Sequence, residues 1–322
     1  MHPGSTPRSG VPLARASTRG LRRLLTGAIA GLACTTAWLA TAAELERVLD
    51  KPCRALALDV EPHWAALGDA SVAVQDKRGV HEETLPPALQ GAGQELGVFF
   101  GRDYRVRVAG TARTARGAEA RYYRALPGGL RPAPDELGPL GKAGAPGLFT
   151  LLGTADPEIV CRPGISCLIK RISGWSKASV PAGLSRVGLS LGTGWALAGS
   201  SLYRLEKDWV LVGQASQATL WQTADDALIR GERACVVERK ADRMHHFDGE
   251  SWQSSKSPVS GPRSLWASPT SLWVAGDGGA KVYRNGAWAA LPSSVGAVAQ
   301  VLGRGDGDVW FCGAQGVFRS RG

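Results

Sequence analysis

The sequence predicts an all-β protein, and three observations support this class. Four tryptophans recur at spacings of 34, 43 and 36 residues, namely Trp175, Trp209, Trp252 and Trp288. Each closes a similar short pattern, so that IKRISGW at 169–175 matches VYRNGAW at 282–288 position by position. The 42 glycines and 19 prolines are spread along the chain, as turns between many short strands require. A repeat of this length built from short strands is typical of a β-propeller.

Each repeat is interpreted as a series of strands separated by turns. An apolar run precedes an aromatic–arginine pair three times, within 195–204, 272–284 and 309–319. Counting from residue 55 predicts about six or seven four-stranded blades. The tryptophan-containing blades are clear over 150–322, whereas those over 55–150 are degenerate. The Gly- and Pro-rich stretch 125–147 is interpreted as a long loop between strands or blades.

The last repeat ends at residue 322, before any terminal tryptophan strand. An open ring would leave an unpaired sheet edge, so an N-terminal strand is expected to complete the final blade. The short apolar run 56–60 is predicted to supply that strand.

The first 43 residues are predicted to form an export segment that precedes the propeller domain, 44–322. They contain five arginines and no acidic residue, and an apolar, Ala-rich run covers 24–43. Small residues at 40–42 fit a signal peptidase site, so cleavage near residue 42 or 43 is expected. The alternatives are an uncleaved anchor helix, lipidation at Cys34 and a twin-arginine signal at Arg22-Arg23. Every alternative predicts an exported domain, in the periplasm, at the outer membrane or outside the cell.

The charge distribution argues against nucleic acid as a partner. The formal net charge is +10, but five of the 38 basic residues lie in the export segment. The remaining sequence has 33 basic against 28 acidic residues, and they are interspersed without a basic stripe. A monomer is expected, which meets a membrane only through its N-terminal segment or a lipid at Cys34.

The cysteines predict disulfides, as an oxidising compartment allows. Cys161 and Cys167 flank Pro163-Gly164, a strong turn signal, so a hairpin is expected to bring them together. Cys53 and Cys312 are proposed as a second pair, because one flanks the expected closing strand and the other lies in the last repeat. Cys235 then has no predicted disulfide partner. A zinc site is not expected, since no second closely spaced cysteine or histidine pair accompanies the first.

The four recurring tryptophans are predicted to be structural, each largely buried between blades. One large flat side chain at a fixed position per blade buries extensive apolar area. A row of indoles that stacks on a ligand is the alternative. Regular recurrence favours packing, because a binding site needs only one or two blades.

Other motifs are interpreted as structural, and no catalytic, metal-binding or cofactor-binding residue is assigned. The GxSxG string at 188–192 leads into a strand, whereas a nucleophile elbow leads into a helix. Residues His245 and His246 are adjacent, so in a strand their rings point to opposite faces. Ordinary surface or loop positions are expected for His63 and His81. The Arg-Gly-Asp string within 303–308 is expected to be a solvated turn.

The repeats at 273–288 and 309–319 resemble those of exported bacterial β-propellers of the sialidase-like and photosystem-assembly-factor-like kind. The resemblance covers 150–322 well and 55–150 weakly. True sialidases carry aspartate boxes of the form Ser-x-Asp-x-Gly-x-Thr-Trp, and the sequence contains no copy. The resemblance therefore implies a fold and carries over no catalytic residue.

The function expected from these observations is a non-enzymatic binding or scaffold module of the cell envelope. Propeller loops are presented on a rigid frame, and binding residues concentrate in such loops. The expected partner is a protein or an envelope glycan, with no cofactor. The alternative is a glycan-directed envelope hydrolase or lyase with a non-standard site at the propeller channel.

Overall fold

The computed structural model describes residues 44–91, 95–101, 103–115, 117–135, 150–152, 159–162, 166–171, 174–190, 193–198, 201–214, 228–230, 233–238, 242–247, 252–268 and 270–321. The predicted export segment with Cys34 lies outside these residues, as does the Pro163-Gly164 turn. None of the helices in the described part is long and apolar enough to cross a membrane.

The described residues form seven four-stranded antiparallel sheets. The strands, numbered in chain order, are β1 (Glu44–Leu49), β2 (Ala55–Leu58), β3 (Trp64–Leu67), β4 (Ser71–Asp76), β5 (Gly79–Thr84), β6 (Glu95–Phe100), β7 (Val106–Thr114), β8 (Gly117–Leu126), β9 (Gly129–Pro132), β10 (Thr150–Leu152), β11 (Ile159–Arg162), β12 (Ser166–Arg171), β13 (Gly174–Ala178), β14 (Leu184–Ser190), β15 (Thr193–Ala198), β16 (Ser201–Leu205), β17 (Trp209–Gln214), β18 (Leu228–Arg230), β19 (Arg233–Glu238), β20 (Arg243–Phe247), β21 (Trp252–Lys256), β22 (Pro262–Ala267), β23 (Leu272–Gly276), β24 (Gly279–Arg284), β25 (Ala287–Ala290), β26 (Val298–Gly305), β27 (Asp308–Gly313) and β28 (Gly316–Arg321). Short 3-10 helices cover Pro87–Leu89 and Ser293–Val295.

Six sheets each consist of four consecutive strands. We name them sheet 1 (β2–β5), sheet 2 (β6–β9), sheet 3 (β10–β13), sheet 4 (β14–β17), sheet 5 (β18–β21) and sheet 6 (β22–β25). Sheet 7 combines β26, β27 and β28 with β1 from the other end of the described chain. The chain therefore returns to its starting point, as a closed ring requires.

The repeated tryptophan pattern forms the hairpin of the third and fourth strands of a sheet. In sheet 6, Tyr283 lies on β24 and Trp288 on β25, and the two are directly paired. The turn between the strands is Asn285-Gly286, and both residues have positive φ, 51° and 85°. Asn and Gly tolerate this conformation, and its twist matches that of the flanking strands. The turn chemistry thus sets the register of the repeat.

An N-terminal strand completes the last sheet, but it is not the one expected from the sequence. Strand β1 pairs antiparallel with β28, with Glu44 opposite Arg321. The apolar run predicted for this role instead forms β2, an edge strand of sheet 1 paired with β3. Strand β1, Glu-Leu-Glu-Arg-Val-Leu, is half polar and residues 45–49 are partly or fully exposed, whereas β2 is continuously apolar and mostly buried. The prediction selected the continuously apolar run and was wrong for this reason.

The stretch expected to be a long loop is partly strand. Strand β8 runs to Leu126, and after a two-residue turn β9 covers Gly129–Pro132. Leu130 is buried where other repeats carry tryptophan. Residues 136–149 lie outside the described part.

The apolar core is divided among the interfaces between neighbouring sheets. One buried cluster joins sheets 1 and 2. Between sheets 7 and 1, the rings of Trp310 and Trp64 lie 5.7 Å apart, centroid to centroid. Between sheets 6 and 7, the rings of Trp273 and Phe311 lie 5.4 Å apart. Face-to-face packing of consecutive sheets is the arrangement that gives a propeller its stability.

Candidate functional site

A cleft of about 960 Å³ lies between sheets 1 and 2. Its walls combine residues of strands β4, β5, β7 and β8 with four connections, which follow the first and third strands of both sheets and therefore lie at the same end of the sheets. In sheet 1 these are the β2–β3 loop and the β4–β5 turn. In sheet 2 they are the β6–β7 loop and the β8–β9 turn. Four connections from separate parts of the sequence thus build one concave surface.

The cleft combines a buried apolar base with exposed apolar groups at its rim. Val74 and Val106 line it and are almost fully buried. Leu126 contributes a half-buried wall. Val60 and Tyr104 line the same cleft and are exposed. Large apolar groups exposed next to a concavity are typical of binding surfaces.

Tyr104 is held in position by backbone and ring contacts. Its φ is 57°, a left-handed conformation that a bulky residue rarely adopts. Its ring stacks on His63, with 5.2 Å between centroids and 22° between planes. The side chain of His63 is in turn fixed by Phe100, 6.2 Å away edge-on, and lies 3.1 Å from the Val60 carbonyl through Nδ1. Despite these contacts Tyr104 is 52% exposed, so a pre-oriented aromatic ring faces solvent.

Two carboxylates in the cleft are neutralised by arginine. Arg78 donates to Asp76 at 2.7 Å, and this hydrogen bond lowers the pKa of the Asp76 carboxyl. Arg107 donates to Asp103. Burial would raise the pKa of Asp103, but the bonds from Arg107 and the Arg105 backbone outweigh it, so this pKa is also lowered. Both carboxylates are therefore ionised and matched by a permanent cation.

The partner of the Glu83 carboxylate is a histidine and not an arginine. Glu83 lies on β5 together with His81, and the alternating burial of this strand places both on the side that lines the cleft. The Glu83 carboxylate lies 3.9 Å from His81 Nε2, and this imidazole is charged only when protonated. The Glu83 side chain is 21% exposed. This partly buried carboxylate thus differs from Asp76 and Asp103, since its ion-pair partner is not a permanent cation.

A smaller depression of about 190 Å³ lies between sheets 7 and 1 and shares Glu61 with the cleft. Arg319 donates to Asp308 at 2.6 Å and to Glu61 at 3.0 Å. Arg304 donates to the other oxygen of Asp308 at 2.9 Å. Because these charges satisfy one another, we interpret this depression as a structural ion-pair network.

The structure brings both predicted cysteine pairs to disulfide distance. The Cα atoms of Cys53 and Cys312 lie 5.2 Å apart, and those of Cys161 and Cys167 lie 4.0 Å apart. The first pair joins the β1–β2 connection to β27, next to the closing strand. The second pair joins the directly opposed strands β11 and β12. Cys235 lies on β19.

The recurring tryptophans all lie on the outermost strands of their sheets. Trp175 lies on β13, Trp209 on β17, Trp252 on β21 and Trp288 on β25. Trp209 and Trp288 are partly buried, and each packs against a neighbouring apolar cluster. Their structural role stays a prediction. Among the side chains that the structure describes, the fully buried indoles are those of Trp64, Trp273 and Trp310, which lie on the second strands of their sheets.

The remaining motifs lie in structural positions. His245 is buried on β20, with Nδ1 2.8 Å from Ser254 Oγ. Ser190 ends β14 and Thr193 begins β15, so the described residues on both sides of positions 191–192 are strand. Asp306, in the Arg-Gly-Asp string, occupies the β26–β27 turn and accepts a hydrogen bond from Ser271 at 2.6 Å. That turn is anchored to sheet 6 and is not simply solvated. Among the described residues, no group of three or more His, Cys, Asp and Glu side chains could hold a metal ion.

Comparison with known proteins establishes the fold as a β-propeller. A virginiamycin B lyase from Staphylococcus aureus, in a catalytically inactive form with quinupristin, aligns with a TM-score of 0.57 and 14% identity over 86% of this chain and 99% of that one. YCF48 bound to D1 peptide aligns with a TM-score of 0.61 and 14% identity over 87% and 95%. The WD40 β-propeller domain of Doa1 aligns with a TM-score of 0.53 and 10% identity over 86% and 95%. No protein-family model and no curated protein sequence matches the chain.

Sequence reasoning missed the cleft. Its main residues, His63, His81, Glu83 and Tyr104, come from the degenerate part of the repeat and share no spacing. The sequence predicts only ordinary surface or loop positions for His63 and His81. One local signal was present, because β5 places a histidine and a glutamate two residues apart on one face of an alternating strand.

Proposed function

We propose that this chain is an exported, non-enzymatic β-propeller that binds a peptide segment of a partner protein in the cleft between sheets 1 and 2. The observation that carries the proposal is Tyr104, an exposed aromatic ring held by a left-handed backbone and by stacking on His63. Aromatic residues that are rigid before binding lose little conformational entropy and dominate many interfaces. The open cleft beside it provides room for an extended chain.

The fold is compatible with this use. YCF48, a propeller of similar architecture, has been observed with the D1 peptide bound. At 14% identity the likeness concerns the fold, so the binding surface of this chain is argued from its own residues. These residues offer an apolar base for side chains and charged groups at the rim for orientation.

Export is supported by the leader pattern and by the two cysteine pairs at disulfide distance. Cleavage after Ala43 would leave Glu44, the first residue of β1, at the new N-terminus, so the closing strand would stay complete. Intact-mass measurement of protein from the native host tests this. We expect a chain that begins at residue 43 or 44. A chain that begins at Met1 or at a lipidated Cys34 would overturn the cleavage proposal.

The binding proposal is tested with a random peptide library selected on the purified, disulfide-bonded protein. Selected peptides should bind Tyr104→Ala at least about 30-fold more weakly, as loss of an interface hot spot implies. Tyr283→Ala is the matched control, because Tyr283 is also exposed but lies on sheet 6. Equal binding to the wild type and Tyr104→Ala, or binding of envelope glycan fragments in place of peptides, would overturn the proposal.

A further inference from the structure

We propose that the cleft selects peptide segments that carry a lysine or arginine side chain, and that Glu83 binds the cation of that side chain. This inference rests on the proposed function, because it names the chemistry that the peptide-binding cleft recognises. Its starting point is the charge state of the cleft. Four carboxylates line it, and they differ in how they are neutralised.

Three of the four carboxylates have an arginine of the protein as partner. Asp76 is bound by Arg78, as described above. Asp103 is bound by Arg107. Glu61 accepts a hydrogen bond from Arg319 at 3.0 Å. None of these three carboxylates needs a cation from a ligand.

Glu83 is the exception in the described part of the chain, where its one ion-pair partner within 4.0 Å is the imidazole of His81. Arg78 acts on Glu83 only at longer range, and it already forms a hydrogen-bonded ion pair with Asp76. When His81 is neutral, Glu83 therefore has no charged partner within 4.0 Å among the described residues, and the other cations that line the cleft, Lys77 and Arg105, form no ion pair with it. Burial strengthens the attraction between the negative charge of Glu83 and an incoming cation.

The surroundings of Glu83 leave room for such a side chain. The β8–β9 turn next to it is Pro127-Gly128, and Gly129, the first residue of β9, has no side chain to cover the carboxylate. A Cβ at Gly129 would lie 3.9 Å from Glu83 Oε2. The walls of the cleft at Val74 and Leu126 are apolar. A lysine or arginine buries its aliphatic stem along such walls while its charged end pairs with a carboxylate.

The test uses peptide libraries that are identical except for one position fixed as Lys, Arg, Gln or Glu. On the wild-type protein, we expect the Lys and Arg libraries to bind about tenfold more tightly than the Gln library, as one charge-assisted hydrogen bond implies. Glu83→Gln should abolish this preference while binding through Tyr104 persists. Glu83→Lys should reverse it, so that the Glu library binds best.

Glu82→Gln is the matched control. Glu82 is the adjacent residue on β5, is exposed, and pairs with Lys51 at 2.6 Å on the other face of the strand. It should retain the wild-type preference, and urea unfolding of each variant verifies that the propeller is folded. Peptide binding without a basic preference, or a preference that survives in Glu83→Gln, would overturn this inference alone. Failure of every library to bind the wild type would overturn the proposed function and this inference together.

Discussion

The guanidinium carbon of Arg319 lies 5.0 Å from the centroid of the Trp310 ring, and the two residues are directly paired across β27 and β28. Asp308 accepts hydrogen bonds from both, from the indole nitrogen at 2.7 Å and from Arg319 Nε at 2.6 Å. Sheet 6 repeats the cation–π contact, since Arg284 lies 5.5 Å from the Trp273 ring. The arginine of the sequence repeat thus covers the buried indole of the preceding strand.

Replacement of Arg319 by alanine should destabilise the protein by about 3 kcal/mol. The Arg319 side chain is only 10% exposed, and the change removes one of the cations that pair with the Asp308 carboxylate. Breaking a buried ion pair is costly because it leaves the remaining charge without a partner. Arg321→Ala, two residues further along β28, is the control. Its side chain is 57% exposed and pairs with Glu46 at 3.5 Å, so the loss should stay below about 1 kcal/mol. Urea unfolding measures both, and equal losses would contradict this account.

Within sheet 6, replacing a buried tryptophan by alanine should reduce stability more than replacing a partly buried one. Trp273 is buried and donates to Ser271 Oγ at 3.1 Å, so Trp273→Ala should cost about 3–5 kcal/mol. Trp288 is partly buried beside Tyr283, with 5.3 Å between their rings, so Trp288→Ala should cost about 1–2 kcal/mol. The urea concentration at the unfolding midpoint measures both losses, provided that the dependence of the unfolding free energy on urea is the same in both variants. A larger loss for Trp288→Ala would contradict this ranking and would favour the recurring tryptophans as the more deeply packed positions.

The fold was predictable where one local pattern repeats. A hairpin is specified within seven residues by turn residues such as Asn285-Gly286 and the tryptophan that follows them. The sequence alone therefore indicated where the third and fourth strands of a sheet lie. The sequence predicted that an N-terminal strand closes the ring, because an open ring would leave an unpaired sheet edge. It did not predict which segment forms that strand. The sequence of β1 is half polar, and its pairing with β28 joins the two ends of the described chain.

The cleft was not predictable for a related reason. Tyr104 and His63 meet only because sheets 1 and 2 are neighbours, and their contact depends on a left-handed residue within a loop. Neither property has a periodic signature. A site that combines four connections can be recognised only from the three-dimensional arrangement of the two sheets that carry them.

Acid should destabilise the protein partly through Asp308. Burial would raise the pKa of its carboxyl, but hydrogen bonds from Arg319, Arg304 and Trp310 outweigh burial, so the pKa is lowered. A carboxyl with a lower pKa in the folded state contributes stability above its unfolded pKa of about 3.9. That contribution is lost as the pH falls through the folded value.

The matching measurement is urea unfolding at pH 7 and at about pH 3, below the unfolded pKa of aspartate. Asp308→Asn should be less stable than the wild type at pH 7 but should lose less stability between the two pH values. Asp50→Asn is the control, because this side chain is exposed on the connection after β1. An unchanged pH dependence in Asp308→Asn would show that the ion-pair network does not contribute to acid sensitivity.

The two disulfides should contribute unequally to stability. Cys53 and Cys312 are separated by 259 residues and link the closing strand region to the last sheet, whereas Cys161 and Cys167 are separated by 6. A cross-link restricts the unfolded chain more when it closes a longer loop, which predicts about 5 kcal/mol for the first and about 2 kcal/mol for the second. Replacing both cysteines of each pair with alanine provides matched variants, since all four are buried. The urea midpoint should fall further without the Cys53–Cys312 bond, and a larger fall without Cys161–Cys167 would contradict its role in holding the ring closed.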